Sequence, residues 1–225
     1  MVVQKTKYRL FNIYNKLFYE KFDKKLDFQW TSRKKRYQII NEIINHKKYS
    51  SYLEIGCFEN ETFDKIIIKK KIGVDPVSGG TIRETSDDFF KKNKSKFDIC
   101  FIDGLHIYKQ VKRDIFNSLS CLNDNGVILV HDCLPQSNRD QMVPRSHEHW
   151  NGDVWKIIVE LRTLTNVDTY TLVADEGIGI VFNRKNRNIL NVPFKNFQKL
   201  NFKYFYYNHK NIMNLISEND LLKLF

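Results

Sequence analysis

The sequence predicts a single α/β domain: a doubly wound, mostly parallel sheet with helices before it and a helical tail after it. Two observations carry this. Between residues 52 and 132, short β-rich runs that are apolar on both faces alternate with helical stretches, the pattern of parallel strands covered on both sides. The 225 residues, 42% hydrophobic and 14% aromatic, also suit one full core and not a disordered chain. The whole chain, 1–225, reads as one domain: a helical extension over 1–48, a core over 50–183 and a tail over 184–225.

Residues 7–26 place Leu10, Phe11, Tyr14, Leu17, Phe18 and Phe22 at steps of three and four, which predicts an amphipathic helix with a basic opposite face. A second helix follows at about 32–46, opened by Thr31 or Ser32, with Tyr37, Ile40, Ile43 and Ile44 on one side. Strands are expected at 52–56, 71–75, 97–103 and 126–132. Helices are expected between them at 61–69, 86–93 and 107–120. The long polar segment 134–151 carries Pro135 and Pro144; loops of that length are usually functional. A helix at about 153–164 and strands in TYTLVA and GIGIVF follow. The chain then closes on a predicted helix over NIMNLISENDLLKLF.

Charge is unevenly spread. Residues 1–50 hold 13 Lys and Arg against 4 Asp and Glu, and residues 184–225 hold 8 against 2; the middle holds 16 against 20. An acidic centre between basic flanks argues against a nucleic-acid substrate, which needs positive charge around the active site. No apolar run approaches a membrane span. The N-terminus lacks the apolar stretch and small-residue cleavage site of a secretory signal. Cys57, Cys100, Cys121 and Cys133 form no CxxC pair, so they read as reduced, mostly buried thiols of a cytoplasmic protein. The basic helix over 7–26 leaves two readings open. Its aromatic face packs on the core or on a second subunit, or it contacts an anionic membrane surface.

In open α/β sheets, ligands sit at the carboxyl ends of strands, at the switch point. The strand ends here are Gly56, Asp75, Asp103, His131 and Asp132. Gly56 permits a sharp turn and close approach to a ligand. Asp75 stands 21 residues after Glu54, where a carboxylate can accept hydrogen bonds from ribose hydroxyls. The turn lacks G-x-G-x-x-G and carries Glu54, Glu59 and Glu61. That opposes a dinucleotide, whose pyrophosphate acids would repel, and suits S-adenosylmethionine, which has no phosphate and carries a sulfonium and an ammonium.

YLEIGCFENETF, IGVDP, TSDDFF, FDICFIDGLHIYKQVKRDI and GVILVHDCLP, with GDVWK and DEGIGI later, resemble in that order a family of small class I methyltransferases found among glycan-biosynthesis enzymes. The resemblance runs from about Trp30 to residue 183. It implies a Rossmann-like fold that binds S-adenosylmethionine through Glu54, Gly56 and Asp75, with Ser86 and Asp87 near the adenine and Asp103 beside the methyl donor. The family usually has a glycine where Asn60 stands; Asn tolerates a left-handed backbone better than most residues. The chain is also similar to sugar O-methyltransferases of the macrolide-tailoring type. These imply His106 as general base and a divalent ion on Asp103 and an acidic pair that is His131-Asp132 here. A histidine suits the task of deprotonating a sugar hydroxyl near neutral pH. Magnesium prefers oxygen ligands while imidazole suits manganese, iron or zinc, so the ion and its presence stay open.

Segment 134–151 reads as a lid or acceptor wall in which Arg139, Arg145, His149 and Trp150 grip a sugar or nucleotide-sugar acceptor: Arg by forked hydrogen bonds, Trp by stacking. Two other functions stay open. An RNA or protein methyltransferase would fit the overall charge but lacks an N-P-P-Y-type strand end. A non-catalytic partner of a glycosyltransferase would fit Asn60 and His131.

Overall fold

The computed structural model describes residues 2–225, with side chains from residue 8 onward. Helix α1 (Val2–Phe18) leads through an irregular stretch to α2 (Arg36–Lys47). The alternating part then runs β1 (Ser51–Ile55), β2 (Lys70–Val74), α3 (Ser86–Lys92), β3 (Phe97–Ile102), α4 (Tyr108–Ser120) and β4 (Leu122–Val130). After the long segment come α5 (Trp155–Leu161), β5 (Asp168–Leu172), β6 (Ile178–Phe182), α6 (Phe202–Ile212) and β7 (Leu215–Ile216). The strands form one seven-stranded sheet in the order β2-β1-β3-β4-β6-β5-β7. Strands β2, β1, β3 and β4 are mutually parallel, and β6 enters antiparallel to both β4 and β5. The sheet is thus mixed and mostly parallel, as the sequence predicts. The chain winds outward from β1 to β2 and then crosses back to β3, which puts the switch point between β1 and β3.

The two faces of the sheet explain the doubly apolar runs. On one face, Leu53, Ile55, Cys100, Ile102, Ile128 and Val130 meet Val111 and Ile115 of α4, Trp155 and Ile158 of α5 and Phe202 and Phe205 of α6. On the other, Tyr52, Ile99, Phe101, Val127 and Leu129 meet the four isoleucines of α2, Ile39, Ile40, Ile43 and Ile44. Trp155 is fully buried and donates its indole N–H to Gln141. All four cysteines are free and buried.

Three helices differ from the sequence reading. The helix expected over 7–26 ends at Phe18. The chain beyond it runs irregularly along the long segment, exchanging hydrogen bonds between Leu26 and Gln136 and between Glu20 and Asn138. The helix expected over 61–69 is a single 3-10 turn, Phe63–Lys65, because the β-branched run Ile66-Ile67-Ile68 disfavours continuation. The C-terminal helix lies over 202–212, not 211–225. Phe202, Phe205, His209 and Ile212 give it a buried stripe, and the left-handed Asn214 (φ 50°) ends helical geometry ahead of β7. A 3-10 turn over Glu218–Leu224 completes the chain.

Helix α2 begins at Arg36, later than the cap expected at Thr31 or Ser32. Its first N–H groups are satisfied differently. Gln38 accepts from the Lys35 N–H, and Asp175 Oδ2 accepts from the Arg36 N–H at 2.7 Å. Asp175 is 139 residues away, in the β5–β6 turn. A carboxylate at a helix N-terminus satisfies an unpaired donor and complements the helix dipole.

The apolar stripe of α1 does not reach the core. Leu10, Ile13, Tyr14, Leu17 and Phe18 are all exposed. The helix is fastened instead by polar side chains: Asn12 donates to the Ser146 carbonyl and Asn15 to that of Pro144. The period is helical as the sequence predicts, and of the readings left open for this face the core is the one the structure does not bear out.

At the amino ends of the strands, Asp98 Oδ2 accepts the N–H and hydroxyl groups of Ser50 and Ser51 while Oδ1 accepts from Asn123. These bonds tie β1, β3 and the start of β4. Asp98→Ala is expected to lower urea-unfolding stability by about 2–3 kcal/mol by stranding charge-assisted donors, without altering ligand binding at the opposite ends of the strands.

Candidate active site

The carboxyl ends of β1, β3 and β4 deliver most of the predicted residues to one place. Asp103 follows β3, and His131 and Asp132 follow β4, in register through the Ile102–Val130 pair. Asp132 has a left-handed backbone (φ 63°), which turns its carboxylate back over the strand ends. His106, three residues beyond Asp103, places Nδ1 2.9 Å from Asp132 Oδ2 and Nε2 3.4 Å from Asp103 Oδ1. His131 Nδ1 lies 3.2 Å from Asp103 Oδ1 and 3.3 Å from Asp132 Oδ2. Two carboxylates and two imidazoles thus form one cluster, with His131 and Asp132 buried and Asp103 and His106 half-buried.

Charge sets the protonation of this cluster. Burial disfavours the His106 imidazolium, but the charges and hydrogen bonds of Asp132 and Asp103 outweigh burial and push its pKa up to about 10. Burial likewise opposes, and the same two carboxylates reverse, the effect on His131, whose pKa is raised well above the usual histidine range. The carboxyls respond in the opposite sense: burial would raise Asp103 and Asp132, and the surrounding histidines hold both below the usual range. A pKa near 10 leaves His106 protonated at pH 7.

Arg36, which the sequence reading missed, is the third cation. Its Nε donates to Thr62 Oγ1 at 2.9 Å and lies 3.5 Å from Asp103 Oδ2. Its Nη1 lies 3.3 Å from Asp175 Oδ2 and 3.4 Å from His131 Nε2. Asp175 and Glu176 were also missed, although DEGIGI was noted. They form a turn with Gly177 in which all three residues have positive φ (40°, 65° and 91°). Asn151 bridges from that turn, its amide donating to Asp132 Oδ1 at 2.6 Å and to Glu176 Oε2 at 2.7 Å.

The GDVWK motif has a clear physical basis. A Cβ on Gly152 (φ 64°) would lie 1.7 Å from the His106 carbonyl oxygen, so only glycine allows this backbone to seat against His106. Asp153 accepts the Tyr108 N–H at 2.6 Å and so caps α4 from a distance. Trp155 anchors the motif in the core.

Among the residues expected to grip an acceptor, Trp150 meets the site directly. Its ring stacks on His106 (centroids 5.5 Å apart, 16° between planes), and its carbonyl lies 3.1 Å from His106 Nδ1. Arg145 is exposed and lies over the Trp150 ring, 5.7 Å from its centroid. His149 is half-exposed, 3.7 Å from Glu176 Oε1. Arg139 points elsewhere, into a cavity of about 620 Å³ between α1 and the 138–142 stretch.

The predicted cofactor residues fall into three groups. Gly56 (φ 89°) seats the end of β1 against β3: a Cβ there would lie 2.4 Å from the Asp103 carbonyl oxygen. Asp75 accepts backbone N–H groups from Phe58, Val77 and Ser78, which leaves about one of its four acceptor positions open. Burial would raise its pKa, and these donors hold it below the usual carboxylate value. Glu54 is buried and accepts the Tyr52 hydroxyl. Ser86 and Asp87 are engaged with α4: Gln110 donates to both, and Arg113 forks onto the Asp87 carboxylate. Asn60 is left-handed as anticipated (φ 64°), and its Oδ1 accepts the Gly80 N–H at 2.6 Å, a bond glycine could not make.

The donor set suits a divalent cation. One ligand atom each from Asp103, His131 and Asp132 lie within 4.8 Å of one another, and buried His131 Nδ1 has no aligned hydrogen bond. An imidazole nitrogen beside two carboxylates matches manganese, iron or zinc better than magnesium.

Residues 39–133 match the family Methyltransf_24, a methyltransferase domain. No curated protein matches the chain. Among solved structures, cofactor-bound Rv0187 from MTB superposes with a TM-score of 0.52 at 12% identity, covering 67% of this chain and 80% of that one. The methyltransferase PaMTH1 of Podospora anserina, bound to SAH, gives 0.50 at 16% identity over 80% and 96%. A Klebsiella pneumoniae protein provisionally named an O-methyltransferase gives 0.50 at 12% over 67% and 80%. The fold is that of the class I methyltransferases. In that fold the cluster of Asp103, His106, His131 and Asp132 occupies the carboxyl edge where ligands bind.

Glu54 offers a pH test. Burial raises its pKa from 4.5 to about 8, against the opposing hydrogen bond from Tyr52. The unfolded chain loses this proton near pH 4.5 and the folded one only near 8, so stability falls as pH rises through that window. Glu54→Gln is expected to remove roughly 3–5 kcal/mol of this dependence, seen as a flatter profile of unfolding free energy between those pH values.

Proposed function

We propose that this protein is an S-adenosylmethionine-dependent O-methyltransferase acting on a hydroxyl of a sugar, nucleotide sugar or glycan. The observation that carries the reading is His106, fixed between two strand-end carboxylates under the Trp150 ring. Methyl transfer to a hydroxyl breaks a carbon–sulfur bond, forms a carbon–oxygen bond and releases the hydroxyl proton. In this reading His106 Nε2 receives it, while Asp132, 2.9 Å from Nδ1, orients the ring. The cofactor supplies an activated methyl group and a positive charge. This chain meets that charge with the acidic edge formed by Asp103, Asp132 and Glu176. Any cation that compensates Asp103 and Asp132 also removes what holds the proton on His106, which fits it for the role of base.

A divalent ion on Asp103, His131 and Asp132 would lower the pKa of a coordinated hydroxyl. Arg145 and Trp150 suit a sugar, the guanidinium for hydroxyl or phosphate oxygens and the indole for a sugar's apolar face. The name given to the Klebsiella pneumoniae protein supports oxygen as the methylated atom. The net acidity of residues 51–183 favours a small acceptor over RNA.

Calorimetry with S-adenosylhomocysteine is expected to show binding that Asp75→Ala weakens about tenfold or more, equivalent to about 1.4 kcal/mol. His106→Ala should keep that binding within a factor of about three yet lower turnover on a nucleotide-sugar panel by about 10²–10⁴-fold. A folded protein that binds no S-adenosylhomocysteine would overturn the whole reading. Full turnover by His106→Ala would overturn only the base.

A further inference from the structure

Helix α1 is built in reverse. A surface helix ordinarily buries its apolar stripe and exposes its polar face. Here the buried side chain is Asn15, while Leu10, Ile13, Tyr14, Leu17 and Phe18, at steps of three and four, are 63%, 51%, 47%, 71% and 71% exposed. Leaving so much contiguous apolar surface in water is costly, and such patches mark sites of association.

Charge identifies the occupant. Arg9, Lys16, Lys21, Lys24 and Lys25 are exposed along the helix and the stretch that continues it, against Glu20 and Asp23 of opposite sign. A second copy docking through this face about a two-fold axis would set the same patch against itself and bring like charges together. An anionic bilayer accepts both features at once: the aliphatic and aromatic groups enter the headgroup–acyl boundary and the cations meet lipid phosphates. No helix among the described residues is long and apolar enough to cross a membrane, so the contact is in-plane.

We infer that α1 is an interfacial anchor that lays Leu10, Ile13, Tyr14, Leu17 and Phe18 into an anionic membrane surface. The surface is separate from the strand-end chemistry and stands whether or not methyl transfer is the activity. Its attachment matters, however. Asn12 and Asn15 hold α1 to the carbonyls of Ser146 and Pro144, and Tyr19 accepts the Val143 N–H. The segment that carries Trp150 over His106 is therefore held close to the anchored helix.

The test is co-sedimentation of the full-length protein with phosphatidylglycerol-containing vesicles and with pure phosphatidylcholine vesicles, at low and high salt. The expected result is binding to the anionic vesicles that falls with salt. Leu17→Asp with Phe18→Asp should weaken it at least about tenfold, and Lys16→Glu with Lys21→Glu should do so comparably. Both pairs are exposed, so melting temperatures should be unchanged. Absence of binding to anionic vesicles at low salt would overturn the proposal. So would binding that Leu17→Asp with Phe18→Asp leaves intact, since contact would then bypass this face. A concentration-dependent dimer that the same variant dissolves, without vesicle binding, would overturn it in favour of a second copy.

Discussion

Asp103 and Asp132 stand at the ends of neighbouring parallel strands, Asp132 buried and Asp103 half-buried. Two carboxylates this close and this buried are tolerable only if cations meet them. The molecule supplies three, His106, His131 and Arg36, each from a different direction. Much of the upper architecture follows from that need. Arg36 opens α2, so α2 is fixed by the same contacts that neutralise β3. Asp175, which caps α2, belongs to the turn before β6, so that turn is fixed as well. Asn151 joins the turn to Asp132, and Gly152 seats the His106 backbone. Helix starts, strand ends and a long covering segment converge on one electrostatic problem.

Such an arrangement is poised and not inert. Of the three cations, the two histidines can give up a proton and Arg36 cannot. A site of this kind can receive a positively charged ligand or a metal without a large rearrangement, because the replacement enters a field already arranged for positive charge. The same field disfavours a phosphate-bearing cofactor, in agreement with the missing glycine-rich phosphate loop.

The sheet was legible because parallel strands buried on both faces leave an unmistakable apolar alternation with helices; β1 to β4 and the placement of Asp103, His106, His131 and Asp132 followed from it. Strand ends are local, and a switch point can be located from order alone. Arg36, Asn151, Asp175 and Glu176 were not legible as site residues. Arg36 meets His131 across 95 residues, Asn151 reaches Asp132 from the long covering segment, and Asp175 and Glu176 sit in a turn of positive φ, none of which a periodicity reports. Ser86 and Asp87 show the converse: a motif that reads as ligand-facing is also a bridge between α3 and α4. Helix α1 is a simpler case. Periodicity locates an apolar face and says nothing about what the face meets.

The family match ends at Cys133, yet Trp150, Asn151, Gly152, Asp175 and Glu176 all lie beyond it. Asp103, His106, His131 and Asp132 lie inside the matched stretch, whereas the ring that covers His106 and the turn that completes the acidic edge lie outside it. The match therefore captures the floor of the cluster and leaves its roof to residues 134–177.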